Sequence, residues 1–543
     1  MRVNRITVLF FMTMVYSGTL AQSGELETVF ITLSSKQIRT EQALKEIETQ
    51  TDFKFTYSNE IIRQEQVLLK DSTGTIKTIL DQLFTDQSVK YVVREGKLLL
   101  VPAKVEIPLK KIVVSGYVRD GESGEAMIGA NVFDASTLKG TSTNTYGFFS
   151  LTLPTDSVQL TASFVGYQSF RKDMLPRENL EMTIELLPGE MLHEVVVTGE
   201  QGIEEGTDMG LHRVSVKQIE GLPAILAETD VMKVLQLLPG VQSGMEGTSG
   251  LYVRGGGPDQ NLILLDGVPV YNASHLFGAF SVFNTDAINS IELIKGGFPA
   301  RYGGRLSSVV DITMKEGNKK AFSAKGSIGL ISSKLTLEGP IKSEKTTFII
   351  SGRRTYIDLF SRPFSEQLTG KNTTSGYFFY DLNTKVNHQF SNKDRLYLST
   401  YLGKDDGVIK MKSASKDTDA YYYKKEDDLG LNWGNITASL RWNHVISTKL
   451  FSNTTLIFSR YKFSIYEDYN REVMKGDSIL RSEGHFLYFS GIRDYTIKAD
   501  FDYILNTNHY IRFGISGTRH AFRPGAVSFK SIIEKDTIYG TPY

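Results

Sequence analysis

The sequence predicts a multidomain chain: a small α/β domain, a β-sandwich, an α+β domain and an incomplete transmembrane antiparallel β-barrel. Three observations predict it. The 543 residues exceed what one compact core organises, so several domains are expected. The 31 Phe, 26 Tyr and 48 Gly against 14 Pro suit a strand-rich chain. The C-terminal part alternates polar with apolar or aromatic residues, as in Arg395-Leu396-Tyr397-Leu398-Ser399-Thr400-Tyr401, which is the period of a half-buried strand.

Composition also excludes. With 61 Lys+Arg against 61 Asp+Glu, the chain lacks the basic excess of a nucleic-acid binder. No Cys is present, so disulfide scaffolds, Cys-ligated metals and thiol nucleophiles are ruled out. A mean hydropathy of −0.18 argues against a polytopic helical membrane protein.

Arg2 and Arg5, the apolar run Ile6 to Tyr16, and then Ser17-Gly18-Thr19-Leu20-Ala21 have the order of an export signal over residues 1–21. The apolar run is too short to span a bilayer. A chain exported in this way stays soluble or inserts on strands.

Residues 25–102 predict a duplicated α/β unit. A strand at Val29 to Leu33 precedes a helix capped by Thr40 with Ala43, Leu44 and Ile47 on one face; Phe53 to Tyr57 then alternates. The pattern recurs with Val67-Leu68-Leu69, a Thr75-capped helix carrying Ile76, Ile79, Leu80 and Leu83, and strands at Val89 to Val93 and Lys97 to Val101. This arrangement resembles the secretin and TonB short N-terminal domain. The resemblance implies docking of periplasmic partners, an anti-sigma factor among them in receptors; an α/β spacer is the alternative.

Residues 111–189 predict a β-sandwich with strands at Val113 to Val118, Ala130 to Ala135, Phe148 to Leu153 and Val158 to Phe164, and turns at Asp120-Gly121 and Ser123-Gly124. Gly116, Asp120, Gly129, Asn131, Gly147, Phe149, Gly166 and Tyr167 fall on the pattern of the carboxypeptidase regulatory-like domain, which this segment resembles. Peptidase chemistry would need a cluster of zinc ligands and a base, and His193 is the only His between residues 22 and 211. The module is read as non-catalytic.

After it, Glu194, Val195, Val196, Val197 and Thr198 form an extended β-branched run beside an acidic, Gly-rich flank. Such a strand can add to a partner's sheet edge. Residues 193–201 resemble the TonB box, which implies coupling to the TonB complex; the last strand of the sandwich is the alternative.

Residues 207–315 carry a series of motifs. A helix from Asp230 to Leu238 stands behind Thr229 and is stopped by Pro239-Gly240. Then come Val253-Arg254-Gly255-Gly256-Gly257, the strand Asn261 to Leu265 ending at Asp266-Gly267-Val268-Pro269, the strand Ile288 to Ile294 with Lys295-Gly296-Gly297, then Ala300-Arg301-Tyr302-Gly303-Gly304, and a strand at Ser308 to Thr313. The Gly run is followed by Pro258 and a strand, with no Gly-Lys-Ser/Thr, so it is not a phosphate loop. The ordered set resembles the α+β plug of TonB-dependent receptors. Gly255, Asp266, Gly267, Gly296 and Gly303 are read as its turn motifs. The resemblance implies an ionic latch from Arg254 and Lys295 to barrel carboxylates; solvated strand-end charges are the alternative.

Residues 320–543 predict nine strands: Phe322–Ile331, Lys334–Ile341, Thr346–Asp358, Tyr377–Phe390, Asp394–Gly403, Leu431–Val445, Lys449–Phe463, Gly491–Tyr503 and His509–Phe522. Tight turns alternate with long polar loops near Pro363 to Gly376, Lys404 to Gly430 (with Tyr421-Tyr422-Tyr423) and Glu467 to Glu483, matching periplasmic and extracellular ends. Enclosing a plug takes about 22 strands, so a truncated barrel is expected.

Taken together, the resemblances imply an outer-membrane TonB-dependent receptor of a Gram-negative bacterium. It would take up a siderophore, glycan or peptide by plug remodelling, with the TonB complex, outer-membrane lipid and a small or oligomeric ligand as partners. No metal, cofactor or catalytic residue is expected: the sequence shows no ligand cluster and no Gly-x-Ser-x-Gly, and energy supplied through TonB would need no nucleotide site. A non-transporting adhesin or signalling receptor remains the alternative.

Overall fold

The computed structural model describes residues 25–57, 66–85, 89–94, 97–102, 111–154, 158–189, 210–215, 219, 229–245, 248–369, 372–418, 421–475, 478–533 and 536–540. The expected export signal and the 193–201 segment lie outside them. The chain divides into two compact units, Met1–Leu109 and Lys110–Tyr543.

The first unit contains two interlocked halves. Strand β1 (Phe30–Thr32) pairs with β5 (Thr73–Thr75), and β2 (Gln37–Arg39) pairs with β4 (Gln66–Leu68). Each half therefore donates strands to the other. Helices α1 (Glu25–Thr28), α2 (Thr40–Gln50) and α3 (Ile76–Leu83) accompany a sheet of β3 (Lys54–Tyr57), β7 (Lys97–Pro102) and β6 (Val89–Arg94). Ala43, Leu44 and Ile47 bury against Ile76, Ile79, Leu80 and Leu83 in one core, the faces expected from their spacing. Thr75 caps α3, its hydroxyl accepting from the Thr78 amide at 3.2 Å. Thr40 is not a cap: Arg39 holds that position without a side-chain bond, and Thr40 is a buried residue of α2.

The second unit begins with the sandwich. One sheet runs β10 (Gly140–Ser142), β9 (Asn131–Asp134), β12 (Val158–Ser163), β13 (Phe170–Met174). The other runs β11 (Phe148–Pro154), β8 (Lys111–Asp120), β14 (Leu180–Leu186), with β14 parallel to β8. Val114, Val118, Val132, Phe149, Leu151, Leu160 and Ile184 fill the space between the sheets.

A five-stranded sheet follows, ordered β15 (Leu211–Ser215), β22 (Ile288–Ile294), β23 (Ser308–Met314), β18 (Asn261–Leu265), β19 (Val268–Pro269). Helix α4 (Val231–Leu235) covers it through Val231, Met232 and Leu235. Its cap is Asp230 itself, whose carboxylate accepts from the Met232 and Lys233 amides. Asp266 and Gly267 join β18 to β19 with φ of 49° and 77°. Two left-handed residues in a two-residue loop make a type I′ hairpin, for which Asp-Gly is a preferred pair.

The remainder is one antiparallel meander of ten strands, β24 to β33: Ser323–Ile328, Ser332–Pro340, Thr346–Thr355, Thr373–Gln389, Asp394–Thr418, Tyr421–Ser447, Leu450–Lys475, Ser478–Asn506, His509–Ile533 and Asp536–Gly540. Its alternation is inside out relative to a soluble sheet. On β27, Asp381, Asn383, Lys385 and Asn387 are buried while Leu382 and Val386 are exposed. Leu398, Leu440, Trp442, Leu456 and Ile497 likewise point outward. Apolar-out and polar-in is the pattern of a barrel wall in lipid.

Two of the expected loops are strand instead. The 404–430 and 467–483 segments continue β28 to β31 as long hairpins, where Lys410 meets Asp428 at 2.6 Å and Arg481 meets Glu472 at 3.1 Å across strands. Polar composition by itself predicts loops here, but opposite charges on facing strands support pairing. Tyr421–Tyr423 thus begin β29. The third expected loop holds helix α5 (Ile357–Leu368), which carries Pro363 inside it.

Candidate functional site

The five-stranded sheet lies against the polar face of the meander, and the contacts concentrate at two turns. The first is the Asp266-Gly267 hairpin. The Asp266 carboxylate meets Lys385 Nζ at 3.0 Å, accepts from Ser399 Oγ at 2.6 Å and from the Met314 amide at 2.9 Å. Arg441 Nη2 donates to the Asp266 carbonyl at 2.5 Å. Burial works against ionising this carboxyl, but Lys385 and Arg441 outweigh it and hold it below the usual carboxylate range. Lys385 also donates to the Met314 carbonyl at 3.0 Å, so one wall residue holds both the hairpin and the end of β23.

The second contact is the loop from Tyr271 to Ser281, which contains β20 (Ser274–His275) and β21 (Phe280–Ser281). His275 is buried and reaches two wall carboxylates: Nδ1 lies 2.6 Å from Asp405 and Nε2 lies 2.9 Å from Asp381. Asp381 is also held by Arg353 at 2.6 Å and by Tyr401 at 2.8 Å. Farther along, Asn435 donates to the Asn272 carbonyl, Ser459 to the Pro269 carbonyl, and Tyr271 bonds Asp494. Beside these contacts a cavity of about 820 Å³ separates the sheet from strands β30 to β32, with Arg301, Asp311, Arg441, Asp494 and Lys498 among its lining.

A third seam joins the sandwich to the short-turn end of the meander. Phe451 stacks on Phe148 at 5.3 Å and on Tyr146 at 5.5 Å, with Val445 and Ile504 packed alongside. The Arg395 guanidinium lies 3.8 Å from the Tyr117 ring centroid. The segment leading into β24 is gripped here as well. Glu125 accepts from the Glu316 amide at 2.9 Å and the Gly317 amide at 3.2 Å, and Lys320 donates to the Gly121 carbonyl. Burial pushes the Glu125 carboxyl up to about 7. Glu316 goes the other way, to about 2, because Lys319 and Arg119 overcome its burial.

Of the residues singled out in the sequence, Asp266 and Gly267 stand at the first contact. Arg254 and Lys295 come together instead at another end of the sheet. Lys295 is buried, donates to the Pro239 carbonyl at 2.7 Å, and is lowered in pKa by burial and by Arg254. Arg254 is exposed, and its guanidinium lies against Gly296, where an added Cβ would stand 3.0 Å from Nη1. Among the described residues neither cation meets a carboxylate. Gly255 has φ of 85° in open space, and Gly303 is exposed with nothing near its Cβ position. Glu194 to Thr198 lie outside the described residues.

Sequence reasoning missed His275, Arg353, Asp381, Lys385, Asp405 and Arg441. A signal was present for the wall residues. Asp381, Asn383, Lys385 and Asn387 form a polar stripe at period two in an apolar strand.

Comparison with known proteins agrees with this architecture. Residues 212–310 match the TonB-dependent receptor plug domain, and residues 114–197 match the CarboxypepD_reg-like domain. The chain therefore carries a TonB-dependent receptor plug domain and a CarboxypepD_reg-like domain. It is similar to the TonB-dependent receptor SusC of Bacteroides thetaiotaomicron, 29% identical over 225 residues, covering 38% of this chain and 21% of that protein. It is also similar to the ferrienterobactin receptor of Escherichia coli, 30% identical over 142 residues, covering 23% and 18%. The matched part thus spans about a fifth of these relatives' length. Among solved structures, the ferripyoverdine receptor of Pseudomonas aeruginosa aligns over 95% of this chain and 67% of its own, at 10% identity and a TM-score of 0.30.

Proposed function

We propose that the chain works as an outer-membrane TonB-dependent receptor, taking up a scarce ligand of siderophore, glycan or peptide class by plug remodelling. The observation that carries this reading is the seam between plug and wall. It is polar and charged, with an apolar-out wall behind it. A plug held by hydrogen bonds and ion pairs can exchange them for water when displaced, whereas an apolar seam would have to expose its surface. No bond chemistry enters the mechanism. Ligand binding on the extracellular side shifts the plug, the Glu194–Thr198 strand pairs with TonB, and pulling on it opens a path along the wall. Arg254 and Lys295 are proposed to latch to barrel carboxylates outside the described residues. The first unit and the sandwich are proposed to stand in the periplasm, and the first unit to dock a signalling partner such as an anti-sigma factor.

Coupling is testable directly. The purified chain should bind the periplasmic domain of TonB, and deleting Glu194–Gly199 should abolish that binding. In cells the same deletion should end energised uptake and leave ligand binding intact. Retained TonB binding after the deletion would assign the box elsewhere.

A further inference from the structure

The His275 contact differs in kind from the Asp266 contact, because its cation is titratable. Both ring nitrogens face carboxylate oxygens, Nδ1 toward Asp405 at 2.6 Å and Nε2 toward Asp381 at 2.9 Å. A neutral imidazole has one N–H, so it can donate to only one of them; an imidazolium donates to both. The buried charges agree. Asp381 and Asp405 bring two negative charges and Arg353 one positive, and His275 completes the balance only when protonated. The neutral ring would leave a buried carboxylate without its counter-charge. Phe379 lies flat against the imidazole, with centroids 4.0 Å apart and planes within 5°, a position that favours a cation.

Arg353 shares the Phe379 ring, its guanidinium 5.1 Å from the centroid, and among the described residues the other neighbours bring no further cation to the imidazole. On β27 and β28, Tyr377 bonds Asp405 and Tyr401 bonds Asp381. On the plug, Lys233 donates to the Ala279 carbonyl at 2.8 Å, and Asp230 accepts from the Ser281 amide at 2.6 Å. The next residues are strained. Leu276 and Phe277 have φ of 47° and 53°, a left-handed conformation that side chains other than glycine rarely adopt. The Leu276 amide, which donates to Asp405 at 3.2 Å, ties this strained turn to the same carboxylate as His275.

We propose that His275 is the positioning residue of the plug, a doubly donating imidazolium that fastens the Tyr271–Ser281 loop to the wall and releases it when it loses its proton. The inference goes beyond the transport reading and stands on the contact geometry whether or not TonB drives the plug.

Burial opposes the charge on His275, but Asp381 and Asp405 outweigh it, so the folded ring titrates above its ordinary value. Fastening is then fully present below about pH 6.5 and is lost as pH rises through the folded value. Hydrogen–deuterium exchange on the full chain in detergent micelles, expressed as protection factors, reads this directly. Protection of residues 274–283 should fall by up to about tenfold per pH unit above pH 6.5, while protection of 261–268 around Asp266 stays level. His275→Gln should remove the slope in 274–283. Nitrogen-15 NMR of histidine-labelled wild type should show one ring that keeps its charge to a higher pH than a free imidazole does, and this measurement stands even where the variant does not fold. The absence of any ring that keeps its charge beyond the range of a free imidazole, a level wild-type profile, or an unchanged slope in His275→Gln would each overturn the proposal.

Discussion

The plug meets itself and meets the wall by different physics. Inside, Val231, Leu235, Val253, Ile291, Val310 and Ile312 form an apolar cluster around the sheet and helix α4, joined from the wall by Tyr401. At the wall, the same sheet is held by Lys385, Arg441, Ser399, Asp381 and Asp405. An apolar core loses stability whenever it opens, since each large side chain exposed costs about 1.5–3 kcal/mol. A satisfied polar contact has a smaller net value, about 0.5–1.5 kcal/mol, because water replaces what is lost. The plug is thereby cohesive within itself and separable from its surroundings.

The largest test of this contrast removes one half of a buried pair. Lys385→Met should loosen the plug by about 3–5 kcal/mol, because Asp266 stays buried with less compensation. Urea titration followed by exchange of 261–270 measures it. Pairing it with Asp266→Asn should recover much of the loss, since removing both charges is far less harmful than removing one. In the core the opposite holds. Leu235→Ala should cost about 2–5 kcal/mol with no rescuing partner, and a second distant core truncation should simply add. If the wall double variant is as damaging as the sum of its singles, the seam is not held by that charge pair.

A smaller effect concerns the sandwich. Phe451→Ala removes the ring on which Phe148 and Tyr146 stack, and should cost docking about 2–4 kcal/mol. Limited proteolysis within 315–321 would report the loosening. A pH effect of lesser size comes from Glu125. Its folded value near 7 lies above that of an unfolded carboxyl, so the folded state binds more protons and docking weakens as pH rises from about 4.5 to about 7. Glu125→Gln should flatten that dependence and strengthen docking at pH 8 by on the order of 1–3 kcal/mol. The smallest change is Thr75→Ala, which deletes the cap of α3 and should cost the first unit about 1 kcal/mol, read by thermal melting.

The sequence by itself determined those elements whose signal is local. Period-two and helical patterns placed the strands of the plug sheet at Asn261, Ile288 and Ser308 and the helix at Ile76, because local propensity and one buried face agree there; the helix expected over Asp230 to Leu238 is shorter, Val231–Leu235, with Asp230 as its cap. It also marked Asp266-Gly267 as a turn, and the structure gives the reason for those residue types: both positions are left-handed, as a type I′ hairpin needs. It misread the 404–430 and 467–483 segments, where polar composition hid cross-strand pairing that only a neighbouring strand supplies. Only the tertiary structure decided the seam. His275 stands 106 residues from Asp381 and 130 from Asp405, and Asp266 stands 119 from Lys385. No local pattern joins such pairs, because their partnership depends on which polar face of the wall the plug is folded against. For the same reason the role of Arg254 and Lys295 could not be read from their motifs: a charge at a strand end has no function until its counter-charge is placed.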